Sequence, residues 1–339
     1  MESTSEQLPP QQLKGVCGLY NTGNTCYINA AIQMLRAIPE IADIFTNAAT
    51  NLNINDDFIQ AYISLTTQMN NTLSATRCKP GRFIHALKDK VRGTPYEEFA
   101  LNVPHDAHEF MMYLLDKCSE SMKKHAAALR EPEPEPPSTI EMTNWHALTK
   151  NDYRPLIDLI YGLDRITCKC LTCNTTSTRW ETFSMLKVPV ESMPSTATIE
   201  ERLAKEREPI YLDDYQCDTC NSHQRAEIRR EIWKMPPVLF ITLDRFGDPY
   251  RKVIDIVKVN PEHTFRSLFS DESADPSSSW NYKPISVIDH HGSLRGGHYA
   301  AQVHSNGSWI HYDDEYHFIL KSDSPKYDYF TYILCLHRT

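Results

Sequence analysis

The sequence predicts an α+β fold, because helix-like and strand-like patterns occupy different parts of the chain. In the first third, apolar residues recur at helical spacing, once from Ile28 and once from Phe110. The last third contains short runs rich in β-branched and aromatic residues, which indicate mostly antiparallel strands. Two Cys-x-x-Cys pairs lie between these regions.

One apolar stripe, formed by Ile28, Ile32 and Leu35, predicts the first helix. We expect it to start near Cys26 and to end before Pro39. Cys26 therefore lies in the first turn of this helix.

A second helix is predicted over Ala107–Cys118, with Asp106 as its N-terminal cap. Polar residues and two prolines predict a loose tail at residues 1–14. Alternating glutamate and proline predict a solvated loop at residues 131–137.

Strand-like runs follow in the last third of the chain. They lie at Val238–Phe246, around Val287, and at His298–Val303, Trp309–Tyr312 and Phe330–Leu336. A hairpin joining the third and fourth of these runs would place Asp313 near His298.

Length and composition indicate a soluble globular protein. Its 339 residues correspond to roughly two average domains, or to one large domain with an insertion. The hydrophobic share of 41% and the charged share of 23% exclude wholesale disorder. A net charge of −9 disfavours nucleic acid as a partner, and no apolar stretch reaches the roughly 18 residues of a membrane span.

Ten cysteines in a chain without a visible export signal indicate reduced thiols, and hence a cytoplasmic or nuclear protein. In that setting, patterned cysteines usually bind metals or take part in catalysis. We also expect the protein to act as a monomer.

Cys26 is a candidate nucleophile. Gly23, Asn24 and Thr25 form a turn-like run that leads directly into the predicted helix. Unpaired backbone N–H groups and the helix dipole at this point favour a thiolate. The alternative is a buried structural cysteine, which is the usual fate of an unpaired cysteine.

His298 and Asp313 are candidates for the partners that such a nucleophile needs. The glycines Gly296 and Gly297 precede His298 and allow a backbone or a slim substrate to approach closely. Cys26, His298 and Asp313 would then form a nucleophile, a base and an orienting acid. Asp314 is a second candidate for the acid, and spacing alone does not single out this combination of residues.

The two Cys-x-x-Cys pairs predict a closed structural zinc site. The pairs are Cys170 with Cys173 and Cys217 with Cys220, and four thiolates are a typical tetrahedral ligand set. The alternative is a set of four incidental thiols. Cys168 is a possible competing ligand, because it lies two residues before Cys170.

Three segments resemble motifs of the ubiquitin-specific proteases. Residues 18–29, GLYNTGNTCYIN, resemble the cysteine box of that family, and residues 290–299, HHGSLRGGHY, resemble its histidine box. Residues 105–110, HDAHEF, resemble the family's Gln-Asp-Ala-x-Glu-Phe segment, with His105 in place of glutamine. The resemblance extends from about Gly15 to Arg338 and so covers nearly the whole chain.

The resemblance implies a role for each candidate residue. Cys26 would be the nucleophile, His298 the general base and Asp313 its orienting acid, with Asp314 sharing that role or binding water. Asn21 would donate a hydrogen bond to the oxyanion. The implied substrate-binding residues are Asp106 and Glu109, which face arginines of the ubiquitin tail, and His290, Gly296, Gly297 and Tyr299 of the histidine box.

The implied fold is papain-like, with one catalytic domain over residues 15–338. Its parts are a helical thumb at about 15–125, the Glu/Pro loop at about 126–140, zinc-tipped fingers at about 165–235, and an antiparallel-sheet palm completed by about 236–338. The implied activity is that of a deubiquitinating thiol isopeptidase acting on ubiquitinated proteins. The alternatives are a protease for another ubiquitin-like modifier and a catalytically idle ubiquitin-binding scaffold.

Overall fold

Helices dominate the first part of the described chain and strands the last part, which confirms the predicted α+β class. The computed structural model describes residues 14–51, 54–72, 76–128, 140–150, 152–191, 193–247, 251–269, 280–293 and 296–339. The predicted solvated loop at 131–137 and the predicted tail, except for Lys14, lie outside these ranges.

The elements within the described ranges are as follows. The helices are α1 (Cys26–Arg36), α2 (Pro39–Asn51), α3 (Asp57–Asn71), α4 (Gly81–Val91), α5 (Ala107–Ala128), α6 (Ile140–Thr149), α7 (Arg154–Ile160) and α8 (Ile199–Glu206), with 3₁₀ turns at Glu97–Ala100 and Arg266–Leu268. The strands are β1 (Cys17–Leu19), β2 (Thr76–Cys78), β3 (Gly162–Cys170), β4 (Thr176–Phe183), β5 (Met185–Pro189), β6 (Ile210–Cys217), β7 (Ser222–Lys234), β8 (Val238–Asp244), β9 (His263–Thr264), β10 (Asn281–Ser293), β11 (Gly296–Ser305), β12 (Ser308–Asp313), β13 (Tyr316–Ile319) and β14 (Thr331–Arg338).

The chain divides into two compact units. The first comprises the described residues within Met1–Leu129 and Ser286–Lys326, and the second those within Arg130–Ile285 and Tyr327–Thr339. The predicted division into thumb, fingers and palm stays a prediction. No helix of the described chain is both long and apolar enough to cross a membrane.

In the first unit, α1 is the central helix. It begins at Cys26 as predicted, and ten of its eleven residues are buried. It contacts both α5 and β11. Strands β11, β12 and β13 follow one another as antiparallel neighbours, with β10 on the other side of β11, while β1 and β2 form a separate parallel pair.

Helix α5 continues to Ala128, so the predicted end at Cys118 was too early. The apolar stripe weakens after Cys118, and other interactions stabilise the last turns. Glu120 pairs with Lys117 at 2.9 Å and with Lys124 at 2.6 Å, which are the favourable i,i+3 and i,i+4 spacings of a helix.

The second unit contains a four-stranded sheet, further paired strands and its own apolar core. Strands β4, β3, β7 and β6 form one antiparallel sheet in that order. Strand β8 pairs with β14 and β5, and its residues Leu239, Ile241 and Leu243 lie in the core with residues of α8. Strand β8 ends at Asp244 rather than at the predicted Phe246, because the Arg245 amide bonds back to Leu243 and turns the chain.

Candidate active site

Cys26 is the first residue of α1, and only 5% of its surface is exposed. The loop before it turns sharply through Gly23 and Asn24, which adopt positive φ angles of 112° and 53°. Thr25, the N-cap residue, makes no side-chain cap hydrogen bond. The first-turn N–H groups of α1 are therefore not satisfied by a capping side chain next to the Cys26 thiol.

Asn21 organises this loop. Its Oδ1 accepts hydrogen bonds from the backbone N–H groups of Gly23 at 2.9 Å and Thr25 at 3.2 Å, and from the Thr25 hydroxyl at 3.2 Å. Its Nδ2 donates to Oδ2 of Asp314 at 2.8 Å. The side-chain amide is thus held at both ends, five residues before Cys26.

A tight hairpin brings His298 and Asp313 together. Strands β11 and β12 are joined by Asn306 and Gly307, whose φ angles of 51° and 77° suit the two-residue turn that Asn-Gly favours. The register set by this turn leaves Nε2 of His298 2.6 Å from Oδ1 of Asp313. The hairpin prediction is therefore confirmed.

His298 also contacts Cys26. A hydrogen bond with Cys26 raises the pKa of His298 to about 9, and the bond with Asp313 adds to this rise, while partial burial opposes it. Because Asp313 occupies Nε2, Nδ1 is the ring nitrogen left for the thiol. His298 therefore holds a proton at neutral pH while it hydrogen-bonds Cys26.

The two adjacent carboxylates have different surroundings. The Asp313 side chain is 51% exposed and contacts His298, whereas the Asp314 side chain is 9% exposed and lies 4.0 Å from Nε2 of that ring. Asp314 accepts hydrogen bonds from Asn21 and from Asn29, the latter at 2.8 Å. The two acids, which the sequence did not distinguish, therefore have different partners: Asp313 contacts His298, and Asp314 contacts two asparagines.

Asn29 is a site residue to which the sequence analysis gave no role. It lies on α1 one turn after Cys26, and it is 3% exposed. A polar residue on the buried face of this helix was the signal that could have identified it, since buried amides need hydrogen-bond partners.

The predicted substrate-binding residues of α5 lie at its N-terminus. Oδ1 of Asp106 accepts from the backbone N–H groups of His108 at 2.7 Å and Glu109 at 3.2 Å, so Asp106 caps this helix as predicted. Asp106 is half-buried and Glu109 is exposed.

The predicted substrate-binding residues of the histidine box lie on β10 and β11. Tyr299 is buried, which raises its pKa, and it hydrogen-bonds the backbone of Ala107 at the start of α5. The ring centroids of His290 and Tyr299 are 4.5 Å apart. Gly296 and Gly297 open β11, and a Cβ atom on Gly297 would collide with the His290 ring and the His291 carbonyl. Glycine at 297 therefore permits this close packing.

His105 packs against Tyr27, the residue that follows Cys26. Its ring centroid lies 5.5 Å from that of Tyr27, and its Nε2 lies 2.7 Å from the carbonyl oxygen of Glu98. The histidine thus fastens the 3₁₀ turn at Glu97–Ala100 to the start of α1.

In the second unit, Cys170, Cys173, Cys217 and Cys220 form one cluster. Their sulfur atoms all lie within 4.8 Å of one another, with 3.9 Å between Cys170 and Cys220 and 3.6 Å between Cys173 and Cys217. A tetrahedral site with metal–sulfur distances of about 2.3 Å places its sulfurs about 3.8 Å apart. The four cysteines could therefore hold a metal ion.

The two cysteine pairs have the same local structure. Each is followed by an asparagine with a positive φ angle, 59° at Asn174 and 52° at Asn221, which turns the chain so that both sulfurs point inward. Cys168 is not part of the cluster, and its thiol contacts Tyr215 instead.

Hydrogen bonds shift the pKa values of two thiols of the cluster in opposite directions. The hydroxyl of Thr175 lowers the pKa of Cys173 to about 6, whereas Cys173 raises the pKa of Cys220 to about 12. Four thiolates at these distances need a cation to neutralise their charge.

The chain belongs to the ubiquitin carboxyl-terminal hydrolase family, whose model matches residues 17–334. This confirms the resemblance seen in the sequence. A relative from Vanderwaltozyma polyspora, ubiquitin carboxyl-terminal hydrolase 4, is 27% identical over 97% of this chain and 42% of its own length. Ubiquitin carboxyl-terminal hydrolase 4 of Arabidopsis thaliana is 27% identical over 88% of this chain and 83% of its own length.

The chain spans about half the length of several relatives that it matches, with 42% for the V. polyspora protein and 54% for one from Schizosaccharomyces pombe. Among solved structures, the SAGA Ubp8/Sgf11/Sus1/Sgf73 DUB module bound to ubiquitin aldehyde contains a chain with a TM-score of 0.74 and 19% identity. That match covers 98% of this chain and 71% of the other, and it shows a shared fold.

Proposed function

We propose that this chain is a cysteine-type deubiquitinase, which hydrolyses the bond after the C-terminal glycine of ubiquitin. The observation that carries the proposal is the contact of His298 with Cys26 through one ring nitrogen and with Asp313, at 2.6 Å, through the other. Family membership supports the choice of substrate. Matching structures are described as bound to ubiquitin aldehyde and to monoubiquitin.

The reaction starts when Cys26, whose thiol proton His298 has taken, attacks the carbonyl carbon of the terminal glycine as a thiolate. The negative charge moves to the carbonyl oxygen, where the second N–H of the Asn21 amide stabilises it. His298 gives its proton to the leaving lysine amine as the C–N bond breaks, which leaves a thioester on Cys26. Neutral His298 then takes a proton from water as the water oxygen bonds to the thioester carbon, and the C–S bond breaks. This step releases ubiquitin with a free carboxylate and restores the Cys26 thiolate beside protonated His298.

The carboxylates act at different atoms in this scheme. Asp313 holds the His298 ring so that Nδ1 faces the thiol, and it stabilises the imidazolium. Asp314 holds Asn21. Because Asp314 fixes its orientation, the Asn21 amide can stabilise the oxyanion without reorganising during the reaction.

Recognition of the ubiquitin tail rests on the neighbouring residues. Asp106 and Glu109 would attract the arginines of that tail, since Asp106 caps α5 and Glu109 lies in its first turn. Gly296 would leave room for the tail's backbone, because a Cβ atom there would meet only Pro104 among the described residues, at 4.0 Å. Gly297 would act beside it by allowing His290 of β10 to pack against Tyr299 of β11.

We further propose that the Cys170, Cys173, Cys217 and Cys220 cluster holds one structural zinc ion per chain. Four sulfurs at tetrahedral spacing leave no open position for a substrate. Zinc would supply a crosslink between the turn after β3 and the turn after β6.

We also propose a cellular location, an oligomeric state and a class of partner for this protein. None of the ten cysteines forms a disulfide, which supports action in the cytoplasm or the nucleus, where thiols stay reduced. We propose a monomer that acts on ubiquitinated proteins and binds neither nucleic acid nor membranes.

The test is hydrolysis of a fluorogenic C-terminal amide of ubiquitin, compared with the same derivatives of other ubiquitin-like modifiers. We expect release of the fluorophore from ubiquitin and none from the others. Turnover of another modifier in place of ubiquitin would change the substrate assignment. Binding of ubiquitin without turnover of any derivative would indicate an idle scaffold.

A further inference from the structure

We infer that Asn29 is a positioning residue of this active site: it fixes the Asp314 carboxylate so that Asp314 holds the Asn21 amide beside Cys26. The inference rests on the proposed function, because it assigns Asn29 to the oxyanion donor of that reaction. It concerns a residue that does not contact the reacting atoms.

The first step is the bond between Asn29 and Asp314. Nδ2 of Asn29 donates to Oδ1 of Asp314 at 2.8 Å and lies 3.2 Å from the carbonyl oxygen of Leu19. Both neighbours are acceptors only, so the orientation of the amide is fixed by chemistry. The residue is 3% exposed, and water therefore does not compete for this bond.

The second step is the bond between Asp314 and Asn21. Oδ1 of Asp314 faces Asn29, and Oδ2 accepts from Nδ2 of Asn21 at 2.8 Å. One carboxylate thus links an amide on the nucleophile's helix to an amide in the loop before it. Removing either bond frees the carboxylate to rotate.

The backbone of Asp314 is held as well. Its φ angle is 51°, and its carbonyl oxygen accepts from the Leu19 amide at 2.8 Å. Gly18 makes this approach possible, since a Cβ atom there would collide with the backbone of Glu315. Only the side-chain torsions of Asp314 are left for Asn29 to fix.

Electrostatics explain why this fixing matters. Oδ2 of Asp314 lies 4.0 Å from Nε2 of His298, which is protonated at neutral pH. A poorly exposed carboxylate without its amide donors is drawn to the nearest cation, because buried charges require partners. Loss of Asn29 would therefore move Asp314 toward His298 and away from Asn21.

The test is a double-mutant cycle on the hydrolysis of the fluorogenic ubiquitin substrate. Asn21→Ala should lower kcat by about 10²- to 10³-fold, as for other oxyanion donors. Asn29→Ala should lower kcat by about 10-fold or more, with KM within about 2-fold of the wild type. The double variant should be no slower than Asn21→Ala within about 3-fold, because Asn29 then has nothing left to position. The inference would be overturned if the loss of kcat in the double variant equalled the product of the two single losses. It would also be overturned if Asn29→Ala changed KM alone.

The matched control is Gln33→Ala. Gln33 is also a buried amide on α1, and it donates to the Cys17 carbonyl at 2.8 Å without contacting Asp314. It should lower the melting temperature yet keep kcat within about 2-fold. A loss of kcat equal to that of Asn29→Ala would mean that any weakening of α1 has this effect, which contradicts a positioning role.

If Asn29→Ala fails to fold, the test is to exchange the two side chains, placing aspartate at position 29 and asparagine at position 314. Asn29→Asp alone places two carboxylates together and should inactivate the enzyme. Adding Asp314→Asn restores one donor and one acceptor, so kcat should recover by about 5-fold or more. No recovery would contradict the inference.

An inactive wild type would refute the proposed function separately. In that case, urea unfolding of Asn29→Ala, Asp314→Ala and the double variant decides the link between the two residues. Coupling of the two losses in unfolding free energy supports the link, and strictly additive losses refute it.

Discussion

Two groups of cysteines show how the partner of a thiol decides its chemistry. In the first unit, Cys26 meets an imidazole whose pKa is raised to about 9, so the imidazole holds a proton at neutral pH. In the second unit, the sulfur atoms of four thiols lie within 4.8 Å of one another, and their cluster includes no imidazole of the described chain. The first arrangement suits attack on a carbonyl, and the second suits a metal ion.

The largest expected effect of a substitution is that of Cys26→Ala. Hydrolysis of ubiquitin derivatives should fall by about 10⁴-fold or more, because the nucleophile is removed. Ubiquitin affinity, measured by calorimetry, and metal content should stay at the wild-type values. Residual turnover within about 10-fold of the wild type would show that another group performs the attack.

A substitution in the cysteine cluster should change metal content and stability, which Cys26→Ala leaves unchanged. Cys217→Ser should reduce bound zinc from about one equivalent per chain to less than about half, and it should lower the melting temperature. The matched variant Cys168→Ser should keep the metal, because its thiol lies outside the cluster. Elemental analysis of both freshly purified variants provides the measurement, and loss of zinc from the Cys168 variant alone would reassign the ligand.

The pH profile tests the proton on His298. Above a pH of about 9 the imidazolium loses its proton, and the leaving amine loses its acid, so kcat/KM should fall there. Asp313→Asn weakens a bond that raises this pKa, so the fall should move to lower pH, and kcat should decrease by about 10²-fold.

Glu315→Gln is the control for this profile, since it removes a nearby carboxylate that does not bond to His298. It should leave the alkaline fall unchanged. An identical shift in both variants would attribute the effect to general charge rather than to the Asp313 contact.

The smallest effect is expected at the cap of α5. Asp106→Asn keeps a capping side chain but removes its charge, so the melting temperature should hold while KM rises by about 2- to 5-fold and depends less on salt. Asp106→Ala should show the same change in KM and also lose about 1 kcal/mol of stability. If KM were unchanged in the Asp106→Asn variant, Asp106 would have no role in binding ubiquitin and would serve only to cap the helix.

Local signals in the sequence predicted parts of this geometry. Turn formers before an apolar stripe indicated the start of α1, two neighbouring strand-like runs indicated the hairpin that brings Asp313 to His298, and the spacing of the cysteine pairs indicated the cluster. The helix start, the hairpin and the turn of each cysteine pair depend on residues close in sequence, whose geometry is set by local backbone preferences.

Features that depend on distant residues were not predictable in the same way. The separate surroundings of Asp313 and Asp314 arise from where β1 and α1 lie beside the turn after β12. The end of α5 depends on charge pairs that carry no apolar periodicity. Neither arrangement leaves a mark in hydrophobic spacing, which is the main signal that a single sequence offers.

The most direct measurement is labelling with ubiquitin that carries a C-terminal alkyne electrophile, followed by intact-mass analysis and peptide mapping. The wild type should gain one ubiquitin, attached to the Cys26 sulfur, and His298→Ala should slow labelling by about 10²-fold or more. The cysteines of the four-thiol cluster should remain unmodified. No adduct under these conditions, or an adduct on any cysteine other than Cys26, would contradict the assignment of Cys26 as the nucleophile of a deubiquitinase.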